Sequence, residues 1–443
     1  MLLIFALSLL ILYIPVPLSG TPLPWEWTVG GVGLLLLAHV GVCWLAFRLA
    51  ASRAEGESED GGVRIYRAVR GAIVIFLLVD TLVLQWPFFV QRELGRLPWT
   101  VLVDDAVMLL PAVVMVVITI MFRHALEAKR GTVSLRWGRY IRLRLRMEVG
   151  PLLVSWLGIA LLSDLFAVLY PASPAGAGVG FMVLLCAGVV VAGPAVLTWV
   201  WRTSSLQEGP MRVRLEELCE REGLRCRDLL LWHTHRHVHN AAVVGFLPSL
   251  RYILISDAMA LHFSAEEIEA VFAHEIGHVK LHHMRYYGIF AVSFLPFYAT
   301  LLDGLAALDL VWPLHSLALM ELDVWQALVL LVFAAAYWSL GFGFVSRRFE
   351  READHYAAGT TDPEAFMTAL EKLARLGGRP RGSASWRHFS IDDRLAFIRQ
   401  VRDKPERATR VAGVARWLRV LLCTAAGAAV VRIVLWRPEL IGL

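Results

Sequence analysis

Long apolar runs recur along nearly the whole chain, and they restrict its fold more than any other feature of the sequence. They lie near 1–17, 28–50, 69–90, 101–122, 149–170, 177–201, 288–311, 325–345 and 413–436. Each is long enough to cross about 30 Å of hydrocarbon as a helix, and in lipid a helix is the element that satisfies its own backbone. A mainly α polytopic membrane protein with about nine transmembrane helices follows. Composition agrees, since 57% of the 443 residues are hydrophobic and only 18% are charged, whereas soluble domains are about 45–50% apolar.

The net charge of +5 does not point to nucleic acid, because the arginines sit in short segments beside apolar runs, where they set orientation. Arg53, Arg64 and Arg67 follow the second run, and Arg123, Lys129, Arg130, Arg136, Arg139, Arg142, Arg144 and Arg146 follow the fourth. Both segments are expected in the cytoplasm, on the same face as 202–287 and 346–412. The first run lacks a basic start and is read as a retained span instead of a cleaved signal. Segment 132–146 interleaves Arg with Leu, Trp, Tyr and Ile; it reads either as an orientation-fixing loop or as a surface for anionic lipid or a partner. Asp80, Asp104, Asp105, Asp164 and Asp303 stand within or beside runs, so each should face the bundle interior, water or a partner. Cys43, Cys186, Cys219, Cys226 and Cys423 are scattered with no CxxC pair, which argues against a disulfide framework and a thiolate zinc site.

These boundaries divide the chain into a multi-span region 1–201, a polar part 202–287, a transmembrane hairpin 288–345, a second polar part 346–412 and a last span 413–443. Neither polar part is large enough for a core of its own, so the two should pack as one small α+β domain.

The first polar part contains SAEEIEAVFAHEIGHVKLHH, starting at Ser264. Ser264 and Glu267 have capping-box spacing, which predicts a helix over about 265–283. Four-residue spacing then stacks His274 and His278 on one face, where both rings reach a single zinc, one per chain. Glu275 projects beside that face and can act on a water without binding the metal. A third ligand must come from elsewhere. Glu350, in SRRFEREADHYAAG, is the best candidate, with Asp354 one turn on to orient a ligating imidazole and Glu352 as second choice; local sequence alone also admits a merely solvated charged face.

The pairing of HEIGH with SRRFEREAD resembles the membrane gluzincins, a family that includes the CAAX prenyl endopeptidases, the heat-shock protease HtpX and the Oma proteases. The resemblance implies a zincin-like domain with His274, His278 and Glu350 as zinc ligands, Glu275 as base, and Asp354 behind a ligand. It also implies that HNAAVVGFLPSLRYILISDAM forms a strand, turn and strand, with substrate along Asn240, Ala241, Ala242, Val243, Val244, Gly245 and Phe246 on an open edge. RHFSIDDRLAFI resembles the family's H-P-x-x-x-x-R segment, with Phe389 in place of Pro. His388 and Arg394 are then donors to an oxyanion, although capping by Ser390 before a solvated Arg394 reads the same residues differently.

The expected activity is zinc-dependent cleavage of misfolded or regulatory membrane proteins at the cytoplasmic side of a bacterial inner membrane. Its partners are a protein or peptide substrate and the lipid bilayer. A CAAX-type processing protease, or an inactive metal-binding receptor or scaffold, are the alternatives. His233, His235, His237 and His239 would share one side of a strand, as a solvent-facing row or a second metal site. His282 and His283 do not share the ligand face cleanly and read as structural.

Overall fold

The computed structural model describes residues 23–52, 60–94, 103–131, 133–169, 175–307, 322–377, 381–385, 387–404 and 406–436. The first apolar run and its retention, residues 171–174, and the side chains of Asp164 and Cys186 lie outside the described residues. In chain order the helices are α1 (Trp25–Ser52), α2 (Asp60–Leu82), α3 (Trp86–Glu93), α4 (Val103–Lys129), α5 (Trp137–Glu148), α6 (Gly150–Leu169) and α7 (Ala175–Trp201). Strand β1 (Thr203–Ser205), α8 (Pro210–Arg221), β2 (Asp228–Trp232), β3 (Ala241–Val244), β4 (Tyr252–Ser256), α9 (Asp257–His262), α10 (Ala265–Lys280), α11 (His283–Val292) and α12 (Phe294–Ala307) follow. The last are α13 (Leu322–Ala336), a π-helical turn (Tyr337–Phe342), α14 (Gly343–Thr360), α15 (Pro363–Leu376), α16 (Ile391–Asp403) and α17 (Glu406–Trp436).

Among the described residues, five helices are long and apolar enough to cross a membrane: Trp25–Ala51, Val103–Lys129, His283–Leu305, Val329–Thr360 and Glu406–Ala428. Two bent pairs raise this to seven, so the structure supports five to seven spans against the nine expected. The third run, read as one helix, bends by 52° between Leu82 and Trp86. Gln85 there is left-handed at φ 57°, and Pro87 follows in the first turn of α3. A proline inside a continuous helix would leave a carbonyl unbonded and clash with the preceding turn, so the helix restarts instead. Most of segment 133–146, expected as a loop or as a surface for lipid or a partner, is helical. It forms α5, bent by 60° from α6, with Tyr140, Ile141 and Leu143 buried and Arg136, Arg139 and Arg142 exposed. Tyr140 donates to Glu127 Oε2 at 2.7 Å, and Arg123 Nε to Glu127 Oε1 at 2.6 Å, which pins α5 to α4.

The chain divides into two compact units, 1–186 with 301–335 and 187–300 with 336–443. The first is a helical unit around Ile73, Leu77, Met108, Leu109, Ala112 and Met115. Within it Asp80 is fully buried and neither carboxylate oxygen has a partner among the described residues, while Asp104 and Asp105 occupy the first turn of α4, where a helix dipole favours acids.

In the second unit one hydrophobic cluster draws on both polar parts, from Leu215 and Leu229 through Ile253, Ile268 and Phe272 to Phe366, Leu370, Leu395 and Ile398. A four-stranded sheet in the order β1-β2-β4-β3 flanks it. The central pair is parallel, with Leu230 opposite Leu254, and β3 pairs antiparallel with β4 alone, with Val243 opposite Ile253. β3 is therefore an edge strand, held beside α10.

Candidate metal centre

α10 begins as its sequence dictates. Ser264 accepts from the Glu267 N–H, and the Glu267 carboxylate accepts from the Ser264 N–H at 2.8 Å, a reciprocal capping box. The helix ends at Lys280, short of the expected 283, because His282 is left-handed at φ 59° and α11 restarts at His283. His274 Nε2 and His278 Nε2 lie 3.3 Å apart on one face.

α14 crosses this face. Glu350 Oε1 is 3.5 Å from His278 Nε2, and Glu350 Oε2 is 3.6 Å from His274 Nε2. The three side chains offer ligand atoms within 4.8 Å of one another, the one such trio found among the described residues. The second His row forms no such group there: His233 Nε2 meets Ser204 Oγ at 2.8 Å, and His239 Nε2 meets His262 Nδ1 at 3.2 Å. α14 can approach so closely because of Gly277. A Cβ at that position would lie 3.2 Å from the Tyr356 Cβ and 3.3 Å from the Ala353 Cα. The room it leaves is filled by α14. Gly277→Val is therefore expected to cost about 1–3 kcal/mol of stability and to weaken metal retention by parting α14 from α10, read as a lowered thermal midpoint and lowered metal content.

Asp354 Oδ1 lies 3.0 Å from His274 Nδ1. Arg394 clamps the same carboxylate through Nε at 2.9 Å and Nη2 at 2.5 Å. Two nitrogens of Arg394, expected beside an oxyanion or in solvent, are committed to Asp354, and 11% of its side chain is exposed. Ser390 does cap α16, accepting from the Asp393 N–H at 3.1 Å. His388 reaches the centre, its Nδ1 3.0 Å from Glu350 Oε2 while 46% of its side chain stays exposed. Phe389, in the place of the expected proline, carries the Arg351 guanidinium 4.4 Å above its ring. Glu352 faces away from the trio toward His283 and Arg419.

The electrostatics fit a cation. Burial opposes charge on His274, yet the Asp354 and Glu350 carboxylates raise its pKa to about 9. Burial and the Glu350 charge push Glu275 above the usual carboxylate range, partly offset by His274 and the Val243 N–H. Burial holds His278 well below the usual imidazole value. Glu350 Oε2 is buried without a well-aligned hydrogen bond. Two imidazoles and a carboxylate with this surplus of negative charge suit a divalent, nitrogen-preferring metal such as zinc.

β3 carries Ala241 to Val244, while Asn240, Gly245 and Phe246 lie outside the strand. Asn240 is pinned by Ser256, whose N–H donates to the Asn240 carbonyl at 3.0 Å. Gly245, at φ 106°, would set a Cβ 2.3 Å from the Leu250 carbonyl oxygen, so it and Phe246 form the turn toward β4.

Residues 206–415 match peptidase family M48. Somewhat under half of the chain is thus similar to that family. It is 26% identical over 241 residues to a CAAX prenyl protease 1 homolog of Oryza sativa subsp. japonica, a match covering 51% of this chain and 56% of the relative. A CAAX prenyl protease 1 homolog of Arabidopsis thaliana is 27% identical over 201 residues, covering 44% and 47%. The chain thus spans about half the length of the curated relatives it matches. The crystal structure of S. mikatae Ste24p superposes with a TM-score of 0.53 at 15% identity, covering 86% of this chain and 100% of that one. The chain shares that fold and, with its apolar helices, is an integral membrane protein.

Proposed function

We propose that this protein is a zinc-dependent membrane endopeptidase of the M48 family. The observation that carries the reading is the convergence of His274, His278 and Glu350, with Glu275 on the same helix turn. His274, His278 and Glu350 would hold the metal, with Asp354 orienting His274. Zinc, when bound, supplies a Lewis acid that acidifies water and polarises a peptide carbonyl. Glu275 takes a proton from the attacking water and returns it to the leaving amine; the partial burial that raises its pKa makes it the better proton carrier near neutrality.

A substrate chain adds to the edge of β3 in extended form, through main-chain hydrogen bonds that tolerate many sequences. Val243 supports this placement, because its N–H points to Glu275, so a chain on that edge runs past the base. His388, half-exposed beside Glu350, donates to the oxyanion, while Arg394 acts through Asp354. The arginine-flanked runs support a cytoplasmic side for this centre, with misfolded or regulatory proteins of a bacterial inner membrane as the substrates. Likeness to the two CAAX prenyl protease 1 homologs favours a second reading, in which the substrate is a prenylated C-terminal peptide.

Purified protein in detergent is expected to cleave an unfolded chain such as casein, to lose this activity with a zinc chelator and to regain it with added zinc. Cleavage confined to a prenylated peptide would support the second reading. Cleavage of neither by zinc-loaded protein would leave a metal-binding scaffold and reject the endopeptidase.

A further inference from the structure

His278 has a second neighbour that its place in the motif does not explain. Its Nδ1 lies 2.9 Å from the Nδ1 of His283, a fully buried ring. His283 stacks on Phe349 at 4.3 Å with 3° between the planes, so the ring cannot turn without displacing a core aromatic. Its Nε2 is 3.1 Å from Glu352 Oε2. That same oxygen accepts from Arg419 Nη2 at 2.5 Å. The Arg419 guanidinium also lies over Tyr286 and Phe349, at 5.5 and 5.4 Å from their centres.

The tautomers along this chain follow one another. A His278 that offers Nε2 to a metal carries its proton on Nδ1, and donates it to His283 Nδ1. His283 must then accept there and carry its own proton on Nε2, facing the Glu352 carboxylate. Glu352 is held in place by Arg419, from which its carboxylate accepts. Arg419 Nη2 also stands 3.5 Å from His283 Nε2, the longest contact of the group, so the carboxylate between them sets the polarity. The arrangement parallels the other histidine, which is backed by Asp354 and Arg394. Each imidazole thus has a carboxylate and an arginine behind it, with one extra ring on the His278 side.

We propose that His283, Glu352 and Arg419 form a buried arm that fixes the ring of His278 for metal binding, which makes the C-terminal membrane helix α17 part of the metal centre. Arg419 lies beyond residue 415, where the family match ends, so the arm recruits a residue outside the matched segment. These are positioning residues: none touches the trio's ligand atoms. The inference rests on the zinc reading given above.

The test is the zinc dissociation constant, measured by competition with a chromophoric chelator on full-length protein in detergent, alongside the thermal midpoint of the metal-free form. Glu352→Gln and Arg419→Gln should each weaken zinc binding about 10–100-fold, the range for loss of a ligand's outer partner. The double variant should be little worse than either, because both break one arm. Arg419→Lys, which keeps the cation, should recover much of the loss. A merely structural role would lower the metal-free midpoint and leave zinc affinity per folded molecule unchanged. If Arg419→Gln does not fold, Glu352→Gln decides alone. Wild-type zinc affinity in a folded Glu352→Gln, or additive losses in the double variant, would overturn the arm while leaving the metal site intact. Wild-type protein that binds no zinc through His274 and His278 would instead overturn the reading beneath it.

Discussion

Glu275→Gln is expected to reduce peptide hydrolysis by about 10²- to 10⁴-fold, the contribution of a positioned general base, with zinc content and thermal midpoint close to wild type. The amide has nearly the same shape and still reaches the Val243 N–H through its carbonyl. It cannot take a proton from water. Because Glu275 lies one residue from His274 and does not close the trio, the loss should appear in kcat and hardly in zinc affinity. Equal cleavage by wild type and variant would remove the enzymatic reading and leave a metal-binding membrane protein.

The second large effect concerns the ligand contributed from far along the chain. Glu350→Ala removes the carboxylate that faces both His274 and His278 and leaves a two-imidazole site. Zinc affinity should fall by more than the roughly 10–100-fold that loss of an outer partner brings, and hydrolysis should vanish with the metal. The fold should survive, since the core of the second unit is built from Leu215, Ile253, Phe272, Phe366 and their neighbours, none of which needs Glu350. Dialysis against a chelator followed by zinc readdition separates the two variants: Glu275→Gln reloads, Glu350→Ala does not.

Much of this centre can be read from residues because it is local. His274 and His278 are four apart on a capped helix, and the helix repeat alone stacks them. Glu350 is different. Nothing in its own segment distinguishes a ligand from a solvated charge, and only the resemblance to a known motif pair assigns it. The spans of the second unit are legible where an apolar run meets no breaker, whereas the bend at Gln85 depends on how a proline restarts a helix inside an apolar run.

What escapes the sequence is tertiary. His283 stands five residues after His278, which on a straight helix turns it well away from the ligand face. The left-handed residue His282 breaks the helix and swings His283 back beneath His278. Histidine is among the non-glycine residues that adopt a positive φ more often, but the conformation is uncommon, and the run HVKLHHM does not mark where it falls. The partners of Arg394 and Glu352 escape for a similar reason: each comes from another helix, Asp354 on α14 and Arg419 on α17, and a charged side chain seen without its partner looks solvated or free. The 3.6-residue repeat does show that Glu352 diverges from Glu350. It does not show what Glu352 meets.

Zinc-edge X-ray absorption on the purified protein tests the central claim most directly. One zinc per chain, bound by two imidazole nitrogens and a carboxylate oxygen at about 2.0–2.2 Å with a further light atom, and with the imidazole signal halved in His278→Ala, is the result expected. A zinc signal without imidazole scattering, or one unchanged by loss of His278 and of Glu350, would contradict the account.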